Sequence, residues 1–157
     1  VVIIFLILLS GFLSGSETAI TATSKARIIS KLKKGAKRAD YVKKIIDNKD
    51  KVISSLLLSN NLVNILASSL ATAFFYDLFG VTGIFYATLL MTFLLVIFAE
   101  VLPKTYAINK PTRSALMIGP IIFYLNKILT PFVFVINKIV TILINKKEIN
   151  DKKLSDE

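Results

Sequence analysis

The chain contains neither cysteine nor histidine. That excludes disulfides, thiolate and imidazole metal sites, and every cysteine- or histidine-based nucleophile. Any metal it holds must be a hard cation bound through oxygen. Acid is scarce too: ten Asp and Glu stand against twenty Lys and Arg, for a net charge of +10. Basic chains often bind nucleic acid, but here the positive residues flank hydrophobic segments, where they serve as topology signals. No nucleic-acid partner is expected. With no phosphate loop and no paired acid and base, an enzyme is not expected either.

Hydrophobicity is what the chain has in excess. It is 54% hydrophobic with a mean hydropathy of +0.68, against about 45–50% apolar residues in soluble domains. Apolar segments long enough to span a bilayer run over about 1–23, 52–76 and 81–108. Gly11 and Gly15 in the first allow a neighbour to approach closely. Between the first two, Lys25–Lys51 carries eleven Lys or Arg against three Asp. Its apolar residues have helical spacing, broken near Gly35. We read 25–50 as a pair of juxtamembrane helices lying against anionic lipid. The turn Asp77–Gly80 has no basic residue. The positive-inside rule therefore places 25–51 in the cytoplasm and both the N-terminus and this turn outside.

The stretch 114–144 is apolar but interrupted by Gly119-Pro120 and Pro131, and it carries Lys127 and Lys138. A full crossing would leave Lys146, Lys147, Lys152 and Lys153 outside. A Pro-broken belt or re-entrant element that returns the C-terminus to the cytoplasm fits better. The expected fold is an all-α, multi-pass protein of the inner or plasma membrane, with three transmembrane helices, juxtamembrane helices and this belt. The chain opens in an apolar run without Met, as a segment of a longer protein does, and 145–157 reads as a polar linker.

Polar residues interrupt each span. Glu100 follows the apolar run Gly83–Ala99, where a carboxylate costs several kcal/mol unless something compensates it. Asn60 and Asn64, four apart, share a helix face. Ser14 and Ser16 flank Gly15. Counted from the nearest basic anchors at about 1.5 Å per residue, all five fall roughly 13–20 Å from the cytoplasmic edge. Pro103 cannot donate to the carbonyl four residues back, so a bend or bulge beside Glu100 is expected. Ser and Asn also serve as packing groups within spans, and Glu100 or Glu17 could pair with Lys104. Joint occurrence at one depth instead favours a cation site made of one carboxylate, amide carbonyls and hydroxyls, suited to magnesium or sodium.

Three ordered motifs, S-G-S-E-T-A at 14–19, N-x-x-x-N at 60–64 and A-E-V-L-P-K at 99–104, make the chain resemble the transmembrane domain of the CNNM/CorC family of magnesium transporters. The resemblance covers essentially the whole chain. It implies a homodimer of three-span subunits. Our own reading of the site is that such a domain moves Mg2+ outward by alternating access. The resemblance also implies metal ligands at Ser14 or Ser16, at Asn64 with Asn60 adjacent, and at Glu100. In the family, ATP-binding CBS domains usually follow such a domain, and they would attach through 145–157. Two other readings use the same residues: a sodium-binding or sodium-coupled transporter, and a non-transporting module that senses magnesium.

Overall fold

The computed structural model describes residues 1–131 and residue 138, and every regular element among them is a helix. Helix α1 (Val2–Ala22) is an apolar rod. It ends where Thr23 turns extended. The Thr23 hydroxyl donates to Ala19 O at 2.6 Å and Lys49 Nζ to Thr21 O at 3.0 Å. These bonds satisfy carbonyls that the last turn leaves without partners.

Helices α2 (Lys25–Lys33) and α3 (Arg38–Asp47) follow. Gly35, at φ +81°, closes α2. Its N–H reaches Leu32 O and that of Ala36 reaches Lys31 O, the paired bonds of a Schellman cap, for which glycine has the least conformational cost. The two helices fold back on each other, with Lys25 and Asp47 paired at 2.6 Å at the open end. Ile28 and Val42 lie fully buried beneath them. Removal of each such side chain from water is worth about 1.5–3 kcal/mol, a drive that purely intramembrane contacts lack.

Helix α4 (Lys49–Phe79) and helix α5 (Val81–Leu94) form a hairpin about Gly80, at φ +61°. Gly83 is obligatory here, since a Cβ would overlap the carbonyl of Phe75. From α5 the chain passes into a π-helical segment, Leu95–Val101, and then into α6 (Leu102–Asn109). The π register follows from the sequence. Leu102 N–H reaches Ile97 O, five residues back, so the next carbonyl, Phe98 O, would need residue 103. That residue is Pro103, which has no N–H to give. The bulge expected beside Glu100 is this segment.

Helix α7 covers Pro111–Pro131 and runs unbroken through Gly119-Pro120, so the interruption expected there does not form. Glycine before the proline removes the Cβ clash that usually ends a helix. It also seats α7 on α3, because a Cβ at Gly119 would lie 2.6 Å from Val42 Cγ2. By length and composition, four helices rather than three could cross a bilayer: Val2–Ala22, Lys49–Phe79, Val81–Asn109 and Pro111–Pro131. The prolines and the lysines that a full crossing would leave outside had argued against the fourth, yet it is apolar enough to cross. The rest of the expected belt and the linker at 145–157 lie outside the described residues.

Helix α7 packs against α1, α3, α4 and α6. Ala115 joins Ala19, Ala39 and Ala107 in one buried cluster, and Ile122 joins Ile20, Ile45, Val52 and Leu56 in another. Tyr41 of α3 meets the rings of Phe123 and Tyr124, and Ser55 Oγ donates to Asn126 Oδ1 at 2.8 Å. Large apolar side chains such as Leu8, Ile65, Phe85 and Leu89 are exposed on the outer faces of α1, α4 and α5, where acyl chains would cover them.

Candidate ion-binding site

Three polar side chains converge between α1 and α4. Ser10 is fully buried, and its Oγ lies 2.6 Å from both Asn60 Oδ1 and Asn64 Oδ1. The Asn pair reaches it because residues four apart share a helix face. One hydroxyl proton can serve only one of these amide oxygens. The other faces Ser10 without a proton between them unless its amide turns to present N–H2 or a cation joins the group. Asn61, on another face, is exposed.

Ser14 lies one turn beyond Ser10, fully buried, and its Oγ has no hydrogen-bond partner among the described residues. A buried hydroxyl left unpaired costs about 1–3 kcal/mol. Its bearing on the helix explains the vacancy. At about 100° per residue, Ser14 sits some 40° round from Ser10, while Gly11 and Gly15 sit near 100° and 140°. The Ser10 side faces α4. The glycine side faces the π-helical segment and α6: a Cβ at Gly11 would lie 2.9 Å from Phe98 O, and one at Gly15 3.2 Å from Pro103 Cβ. Ser14 points between the two walls. The glycines let Phe98 O, which has lost its partner at position 103, come against α1.

Ser16 is turned about 200° from Ser14. It is buried, and its hydroxyl donates to Phe12 O at 2.6 Å. It lines a different cavity of about 160 Å³ with Gly15, Pro103 and Ser114. The structure therefore brings Asn60 and Asn64 onto Ser10, leaves Ser14 unpartnered one turn along α1, and turns Ser16 away. Glu100 stands half-buried in the π-helical segment, next to fully buried Ala99, whose Cα also adjoins Gly11. Among the described residues it has no hydrogen bond or ion pair. The pairs present are Lys25–Asp47 and Lys44–Asp40, so neither Glu100 nor Glu17 is locked to Lys104. No cluster of three acidic side chains exists among the described residues.

The sequence reading did not select Ser10, which closes an apolar run and offers a single hydroxyl. A signal was there: Ser10 and Ser14 repeat the four-residue spacing of Asn60 and Asn64, as two matched polar pairs on facing helices would.

The fold and this site define a class: a multi-pass, all-helical membrane domain with an oxygen-rich polar cluster buried between its spans. All 157 residues match the model of the cyclin M transmembrane N-terminal domain, and the chain belongs to that family, CNNM. It is 37% identical over 131 residues to the UPF0053 inner membrane protein YfjD of Escherichia coli, covering 76% of this chain and 31% of that protein. Similarity to a UPF0053 protein of Haemophilus influenzae is 35% over 131 residues, covering 83% and 31%. A putative DUF21 domain-containing chloroplastic protein of Arabidopsis thaliana is 26% identical over 126 residues, covering 80% of this chain and 19% of its own length. The chain thus spans less than a third of the length of these relatives.

Proposed function

We propose that this domain carries magnesium outward across the inner or plasma membrane by alternating access, as a homodimer. Ser10, Ser14, Asn60 and Asn64 supply neutral oxygens and Glu100 the charge; Ser16, its hydroxyl bonded to Phe12 O, takes no part. The observation that carries the reading is the Ser10–Asn60–Asn64 contact with the unpaired Ser14 hydroxyl beside it. In an octahedron with ligands at 2.0–2.1 Å, neighbouring oxygens stand about 2.9 Å apart. The Ser10 contacts, at 2.6 Å, need open only slightly to admit such an ion. Neutral oxygens with a single carboxylate leave it weakly enough held to be released.

The eleven basic residues of 25–51 put the α2–α3 end in the cytoplasm and the N-terminus outside. Magnesium binding and liposome flux, measured on the intact protein beside Glu100→Gln, test the assignment. The variant should lose both. Full flux and affinity in the variant would remove Glu100 from the site, sodium-selective binding would favour the sodium reading, and binding without flux would favour a sensor.

A further inference from the structure

We infer that a groove between α2, α3 and α7 binds the phosphate of an anionic phospholipid. The groove has a volume of about 520 Å³ and is lined by Lys31, Arg38, Thr112, Arg113, Leu116 and Met117. Its cations come from separate helices, Lys31 from α2, Arg38 from α3 and Arg113 from α7, so the fold itself assembles them. None of the three is in an ion pair among the described residues. Thr112 Oγ1 is buried and unpartnered among them. It stands in the first turn of α7, where the helix dipole favours an anion.

The groove's lower wall argues for a lipid over a soluble phosphate. One turn along α7 from Thr112 and Arg113 stand Leu116 and Met117, and Met117 is 55% exposed. The exposed apolar surface continues through Ile121, Tyr124 and Ile128 on the same helix. A phosphate seated among the cations would thus carry its acyl chains straight onto an apolar track. Basic pockets between helices at a membrane surface recognise anionic headgroups in this way. The site is separate from the Ser10 cluster and does not depend on which ion, if any, the domain carries.

The test uses the intact, delipidated protein and native mass spectrometry with phosphatidylglycerol, cardiolipin or phosphatidylcholine. Arg38→Gln with Arg113→Gln should lower phosphatidylglycerol affinity about thirtyfold, the worth of two basic residues at a membrane surface. Lys33→Gln with Lys37→Gln removes the same charge from exposed positions outside the groove and should change it less than twofold. Arg38→Lys with Arg113→Lys should retain most binding and shows that the fold survives. Equal losses in both Gln pairs would mean diffuse attraction to any anionic surface and overturn the site. Glycerol 3-phosphate binding as tightly as the lipid would overturn the lipid assignment, as would equal affinity for phosphatidylcholine.

Discussion

Ser10→Ala separates a metal ligand from a packing group. Removing the Oγ leaves Asn60, only 4% exposed, with its amide facing Asn64 and no hydroxyl between them. Orphaning a buried polar group costs about 1–3 kcal/mol, and hydrogen bonds between spans average nearer 0.6. A loss of about 1 kcal/mol is therefore expected. In a chain of this size that lowers the melting temperature by about 2–4 °C. The decisive comparison is the triple variant Ser10→Ala, Asn60→Leu, Asn64→Leu. Replacing all three hydrogen-bonded members by apolar groups leaves no newly orphaned partner and can be neutral or stabilising. If these side chains are ligands, the triple variant melts at or above the native temperature yet neither binds nor transports magnesium. If they are only interhelical glue, magnesium affinity and flux survive in both variants, and the reasoning fails.

Pro103→Ala restores an N–H and removes a helix-interior proline that costs about 3 kcal/mol. It should stabilise the third span by up to that amount and weaken magnesium binding by relaxing the π register that presents Glu100. Thermal unfolding and binding should move in opposite directions. Gly83→Ala drives a methyl into the Phe75 carbonyl and should destabilise the α4–α5 hairpin by about 1–3 kcal/mol, read by thermal unfolding in detergent. The Lys25 ammonium holds the Asp47 carboxyl below its ordinary value of 3.8. The pair therefore contributes above that pH and is lost as pH falls through the lowered value. As pH falls below the ordinary carboxylate range, the native protein should lose a small increment of thermal stability that Asp47→Asn lacks from the outset, read as converging melting temperatures of the two proteins.

Much of the architecture was legible because each feature has a local cause. The span limits follow from apolar length, the α2–α3 break from Gly35 and the hairpin from Gly80. The π-helical segment follows from Pro103, whose missing N–H acts on its own helix. Where tertiary contact decides, the sequence was silent. Gly119-Pro120 reads as a break until Val42 is seen against Gly119, at which point the same pair is a docking surface inside a continuous helix. Ser14 and Ser16 were indistinguishable by depth and part only when their bearings meet actual neighbours. Ser10 acquires meaning from Asn60 and Asn64, fifty and fifty-four residues away, a distance no local pattern bridges.

The wide turn at Leu95–Val101 has a mechanical consequence. A π register holds about one residue more per turn than an α register, so moving that residue along the chain turns only the stretch it passes, by about 100°, and leaves the helix on either side in place. Such a slip exchanges hydrogen-bond partners within one helix and leaves the far half of the span seated in lipid. The carboxylate riding in that turn would then change its bearing about the helix axis by a twist within the rod, with no need to tilt the rod itself.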